Sequence, residues 1–233
     1  MNAASASAHT HLAKRERVFR DLITDYGPQD PFAWHDGGRS GSSLFAALLI
    51  HITGQRISAA SGFTLFDRVA DALGGVPTPE GVIELGAERL RGFGLTRMKV
   101  DCTLDLARSI TAGHLDLVGM PARDDRTVTD ALTGIRGIGL WSAQAFLMRQ
   151  LQRPDVMPFE DMGIREAVGS QWNMARRPTP GEIRAKATHW SPYRSYAAAL
   201  LWRSLKPVGE ISDPKARALA RGHAPSAERT PGS

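Results

Sequence analysis

The stretch LTGIRGIGLWSAQAFLMRQLQRPDVMPFEDMGIREAV, Leu132–Val168, decides the fold. Gly137 and Gly139 flank a single apolar residue, Ile138. Glycine tolerates positive φ and lets another backbone come close. One glycine suffices to close a helix and permit a turn. Glycines on both sides of an isoleucine suggest a tight hairpin, with Ile138 plugging the gap between two helices. A helix beginning near Gly139 would present free N–H groups and a positive dipole end, where a phosphate can sit without a side-chain charge. Beyond that helix the chain breaks at Pro154 and Pro158, then delivers Glu160 and Asp161 just before another helical pattern. The order predicted is helix, Gly-x-Gly turn, helix, loop, carboxylate, helix.

On both sides of this stretch, helical patterns follow one another. RVFRDLITDY has apolar residues at helical spacing, and SSLFAALLIHITG starts at a serine and stops at Gly54. Ser58 opens a helix that closes on Gly74–Gly75, a C-cap signature. Thr78 followed by Pro79 reads as an N-cap and first helical position. ERLRGFGLTRMKVDCTLDLARS repeats the order helix, Gly-x-Gly turn, helix. Clean strand alternation is almost absent, so the expected fold class is all-α with short connections. Residues 1–13 and 213–233 are small, polar and rich in Pro, Gly or Ser, and read as disordered tails. The expected domain is 14–212, with a central subdomain over about 58–160. GGRSGSS, Gly37–Ser43, reads as a flexible loop.

Composition narrows the function classes. At 233 residues the chain can bury one sizeable core or two modest subdomains. No apolar run reaches the roughly eighteen residues of a membrane span, and the first residues lack the apolar stretch of a secretory signal. A single cysteine, Cys102, excludes an intrachain disulfide and an iron–sulfur cluster held by four thiolates; it suits a reducing cytosol. His189 and His51 stand at no recognisable metal-ligand spacing with carboxylates or cysteine. No P-loop, dinucleotide fingerprint or serine-nucleophile elbow occurs. A net charge of +5 and a pI near 9.8 suit a polyanionic partner.

LTGIRGIGLWSAQAFLMR followed by PFEDMGIREAV resembles the helix-hairpin-helix, Gly/Pro-rich loop and aspartate signature of the endonuclease III-like DNA glycosylase superfamily, and within it the bacterial 3-methyladenine DNA glycosylase II type. LLIHITGQRISAASG, RLRGFGLTRMKVDCTLDLAR and HWSPYRSYAAALLWR resemble three more of its segments in the same order, over about residues 43–205. The resemblance implies two helical subdomains flanking a DNA-binding cleft, acting as a cytoplasmic, nucleoid-associated monomer on duplex DNA that contains damaged bases, with no membrane partner and no required cofactor. The N-terminal β subdomain of some members is not expected, because the segment before Ser43 is too short for it and looks helical.

Several residues acquire roles from that resemblance. Asp161 matches the catalytic aspartate; its alternative is a plain N-cap of the helix after it. Trp141 stands where bifunctional glycosylase/lyases carry a Schiff-base lysine, so a monofunctional enzyme is implied. Trp141 and Trp202 match aromatic positions of the base pocket, with Tyr196 and Tyr193 as helpers and Met157 and Met162 as filler. Gln55, Arg56 and Ser58 fall in the segment that fills the space left by a flipped base; relatives commonly have Gln or Leu where this chain has Arg56, which is equally a phosphate contact or a surface charge. Gly137, Ile138 and Gly139 form the backbone clamp, and Lys99, Arg97 and Arg149 are candidate phosphate contacts. Main-chain carbonyls of Thr133, Ile135 and Ile138 match those that hold a structural Na+ or K+ in relatives. The implied reaction is excision of alkylated purines in base-excision repair. Rivals are the same fold acting on hypoxanthine or oxidised purines, a non-catalytic binder of distorted DNA, and a basic scaffold for an acidic protein.

Overall fold

The computed structural model describes residues 3–33 and 36–206 and contains, among them, eleven α-helices, two short 3-10 turns and no strand. The all-α expectation holds. The helices are α1 (Ala3–Arg15), α2 (Arg17–Tyr26), α3 (Leu44–Thr53), α4 (Ala59–Leu73), α5 (Pro79–Gly92), α6 (Arg97–Thr111), α7 (Asp125–Thr133), α8 (Leu140–Arg149), α9 (Met162–Gln171), α10 (Pro180–Lys186) and α11 (Arg194–Ser204). None is long and apolar enough to cross a membrane.

Polar caps set most of the helix starts. Ser43, Ser58, Thr78, Thr96, Asp124, Asp161 and Thr179 each accept a backbone N–H of the first turn through a side-chain oxygen. Each such bond satisfies a donor the helix cannot pair internally and contributes about 1 kcal/mol. Gly74 ends α4 in the left-handed conformation, φ 71°. Gly86, also at positive φ, puts a kink in α5.

The helices form two groups. In one, α3 packs on α4 and α6, and α5 on α4 and α6, with the α7–α8 pair meeting α6 where Gly137 lies against Cys102; in the other, α11 packs on α9 and α2, α1 on α2, and α10 on α9. One continuous apolar core runs through both. In the second group Trp190 is fully buried, stacked on Trp172 at 5.7 Å and met edge-on by Phe19 at 5.0 Å. Because α3 packs into the central group, that subdomain begins near Ser43 rather than at 58.

Two local expectations fail for identifiable reasons. Residues 1–13 are not a disordered tail over their described part. From Ala3 they form α1, with Ala8, His9 and Leu12 buried on one face against α2 and α11. Few of its residues are strongly apolar, so periodicity is weak, but His9 supplies polar anchoring. Its Nδ1 donates to the Ser5 carbonyl at 2.7 Å, and its Nε2 accepts the Gln29 N–H at 3.0 Å. The glycine- and serine-rich segment before α3 is likewise pinned. Asp36, 4% exposed, accepts the N–H groups of Gly38 and Ser40 and the Ser40 hydroxyl. Arg39 binds both oxygens of Asp67, at 2.6 and 2.9 Å, and lies over the Phe63 ring. The tail expected at 213–233 lies outside the described residues.

Candidate functional site

The turn 134–139 joins α7 to α8 as the sequence predicts. Gly137 has φ 98°, and a Cβ there would stand 2.9 Å from Cys102 Cβ on α6, so both backbone conformation and close packing require glycine. Ile138 and Ile135 are buried at the junction. Ile135 accepts the Ile138 N–H at 3.0 Å, closing the turn. Gly139 caps α8 without a side chain, so the first-turn N–H groups have no side-chain acceptor there.

Asp161 caps α9 and also does more. Its Oδ1 accepts the Ile164 N–H at 2.8 Å and the Trp202 indole N–H at 2.9 Å; its Oδ2 accepts the Trp141 indole N–H at 2.9 Å. An ionised carboxylate offers about four acceptor positions. Three are filled by fixed donors, leaving room for a water or a developing positive charge. Trp141 comes from the first turn of α8 and Trp202 from α11, so the carboxylate sits where the two helix groups meet. Gly163 permits this convergence: a Cβ there would lie 3.1 Å from Asp161 Oδ1 and 3.3 Å from Trp202 Cδ1.

Both tryptophans line a cleft of about 660 Å³ whose other walls include His51 on α3, Phe63 on α4, and Gln29 and Asp30 after α2. Trp141 is 50% exposed. The cleft therefore offers aromatic surface beside a hydrogen-bonded carboxylate at the seam of the molecule.

A second network sets where the carboxylate-bearing loop runs. Asp155 accepts Arg194 Nε and Nη2, both at 2.7 Å, and the Ser191 hydroxyl at 2.7 Å. Ser195 donates to the Arg153 carbonyl at 2.7 Å and accepts the Val156 N–H at 3.0 Å. These bonds staple the loop after α8 to the start of α11, the helix that carries Trp202. Burial raises the Asp155 pKa, but the hydrogen bonds from Arg194 and Ser191 outweigh it and hold the group below the ordinary aspartate value. Sequence spacing gave no sign of this pairing across the fold, nor of Gly163 or the Gln29–Asp30 wall.

Of the other candidates, Gln55 donates through Nε2 to the Gly137 carbonyl at 3.0 Å, which ties its loop to the hairpin. Arg56 is exposed and left-handed, φ 58°. Ser58 is exposed and serves as the α4 cap. Three assignments are corrected. Tyr196 is 3% exposed and packs edge-on with His9, Phe32 and Tyr193; it belongs to the core, not the base pocket. Lys99 is 5% exposed and donates to the Thr53 carbonyl at 2.7 Å, so it is not presented to a phosphate; burial lowers its pKa. Met162 is exposed rather than a filler, whereas Met157 is buried. Arg149 lines the cleft and donates to the Ala33 carbonyl at 3.0 Å.

The profile of the HhH-GPD superfamily base excision DNA repair proteins matches residues 50–192, more than half of the chain. The chain belongs to the HhH-GPD superfamily. Among HhH-GPD relatives, it is 33% identical over 171 residues to YfjP of Bacillus subtilis, provisionally named a DNA-3-methyladenine glycosylase, a match over 70% of this chain and 60% of that one. A second Bacillus subtilis protein, named DNA-3-methyladenine glycosylase, is 30% identical over 70% of this chain and 57% of its own. The chain thus spans about three fifths of these two relatives. A solved structure of Schizosaccharomyces pombe 3-methyladenine DNA glycosylase in complex with abasic DNA superposes with a TM-score of 0.72 at 22% identity, over 88% of this chain and 99% of that one; it shares the fold.

Proposed function

We propose that this HhH-GPD protein is a monofunctional DNA N-glycosylase that removes N-alkylated purines of the 3-methyladenine type from duplex DNA, acting as a monomer in a reducing compartment. The observation that carries the reading is Asp161, held by the indole N–H groups of the two tryptophans that line the cleft. Breaking an N-glycosidic bond builds oxocarbenium character on the deoxyribose. A fixed carboxylate stabilises that charge and orients the attacking water. An N-alkylated purine is cationic and electron-poor, so the ring faces of Trp141 and Trp202 attract it. The 3-methyladenine names of the relatives support the lesion class.

The hairpin supplies the grip on DNA. The α8 N-terminus would meet a backbone phosphate. The carbonyls of Thr133, Ile135 and Ile138 would hold a monovalent cation, whose positive charge would add to the attraction of this end of the hairpin for DNA phosphate. The donor set suits such an ion: neutral oxygens, with Ile135 retaining a second lone pair beside its bond to the Ile138 N–H. At the position where lyases place their amine stands Trp141, whose N–H is committed to Asp161. The product is therefore an abasic site with an intact strand.

The test is release of free base from duplex DNA treated with a methylating agent, beside duplexes carrying hypoxanthine or 8-oxoguanine, with borohydride present in parallel. Release of methylated purines without a trapped protein–DNA adduct is the expected result. Release from the neutral lesions only would move the substrate class, and a trapped adduct would overturn the monofunctional reading.

A further inference from the structure

Two DNA-facing segments distant in sequence, loop 54–58 and hairpin 134–139, hang from one helix. On α6, Lys99 reaches the last residue of α3 and donates to the Thr53 carbonyl at 2.7 Å. Three residues on, Cys102 is in close contact with Gly137. Residues three apart share a helix face, so the same face of α6 touches both segments. Gln55 closes the triangle through its bond to the Gly137 carbonyl. Gly62 presses α4 against the same loop, where a Cβ would come within 2.8 Å of Gly54 Cα.

The Lys99 bond is the unusual member. An ammonium 5% exposed pairs with a neutral carbonyl rather than a carboxylate. Leaving an ionised group so buried is costly unless its hydrogen bonding is strong. The contact is charge-assisted and sits at the negative end of the α3 dipole, which offsets part of that cost. Leucine or methionine would fill the same space without it. What the charge adds is a fixed end for α3, at the point where the chain enters Gly54–Ser58.

We propose that Lys99 is a positioning residue: by holding the Thr53 carbonyl it fixes loop 54–58 against hairpin 134–139, so that the two meet duplex DNA as one rigid jaw with Arg56 at its tip. This rests on the reading of that face as DNA-binding, though not on the identity of the lesion.

The test compares wild type, Lys99→Met and Lys99→Arg on two duplexes, one intact and one with a tetrahydrofuran abasic analogue opposite 2-aminopurine. Melting temperatures are taken alongside. In wild type, insertion of the loop should raise affinity for the abasic duplex and change the 2-aminopurine fluorescence. Lys99→Met should lose about tenfold of that preference, the scale of one charge-assisted hydrogen bond. The fluorescence response should go with it, while intact-duplex affinity stays unchanged. Lys99→Arg should restore most of both. Equal loss on the two duplexes, or a lowered melting temperature with preference intact, overturns the proposal. Should Lys99→Met not fold, Lys99→Gln, which keeps a polar side chain but removes the charge-assisted bond to the Thr53 carbonyl, must give the same pattern. A wild type with no abasic preference overturns the jaw as well. A wild type that prefers abasic DNA but releases no methylated purine overturns the lesion assignment alone.

Discussion

At the scale of single residues, the site depends on what is absent as much as on what is present. Gly163 has no side chain, and Asp161 and Trp202 meet in the space a Cβ would fill. Gly163→Ala should push the carboxylate off its indole donor while leaving the α9 cap largely formed. We expect kcat to fall by about 10²-fold, the scale seen when catalytic geometry shifts by about an ångström, with affinity for abasic DNA retained. Single-turnover kinetics beside binding would check this, and an unchanged rate would show that the Trp202 bond does not set the carboxylate. Asp161, Trp141 and Trp202 could be singled out as candidates because a carboxylate after a Gly-x-Gly hairpin and two aromatics in ordered motifs are chemically conspicuous; the structure joins them by hydrogen bonds. Gly163 could not be, because the need for a missing methyl group exists only once another helix arrives. Tyr196 and Lys99 were misplaced because their residue types suit a pocket or a phosphate equally well, and only burial separates those roles from packing.

At the scale of elements, caps and glycines made most helix boundaries readable, since Ser, Thr and Asp act on neighbours two or three residues away. α1 escaped notice because alanine, serine and histidine carry little periodic signal. Its own Leu12 is nonetheless fully buried. Leu12→Ala should cost about 2–5 kcal/mol in denaturant unfolding; a loss below about 1 kcal/mol would mean α1 is only loosely docked. The staple between the carboxylate loop and α11 gives a pH prediction. Asp155 titrates below its ordinary value, and the unfolded value is about 3.9. A carboxyl depressed on folding adds stability above its unfolded pKa and loses it as pH falls through the folded one. Glu182, held by Arg176 and the Thr179 cap, is pushed down to about 2 and acts in the same direction. Melting temperature should therefore fall increasingly steeply below about pH 4, and Asp155→Asn should flatten part of that limb. An identical acid limb in the variant would remove the staple from the account.

At the scale of the whole molecule, two helix groups share one core, and residues of both line a cleft whose wall includes Trp141 and Trp202, the two indole partners of Asp161. The fold class was legible because helix after helix carries its own start and stop signals. The subdomain boundary was not, because α3 announces itself as a helix without announcing which group it joins. Under the proposed function, labour would be divided: the hairpin would hold the DNA backbone, and Asp161 would act on the sugar of a base turned into the cleft. The most direct test is Asp161→Asn, assayed for methylated-purine release under single turnover, with binding to abasic duplex measured on the same preparation. Asparagine keeps an oxygen for the Ile164 N–H but loses the charge and faces one indole donor with an amide donor. Release is expected to fall by about 10³-fold, the scale of losing a group that stabilises transition-state charge, while abasic-duplex affinity stays within about threefold. Undiminished release by the variant would contradict that division.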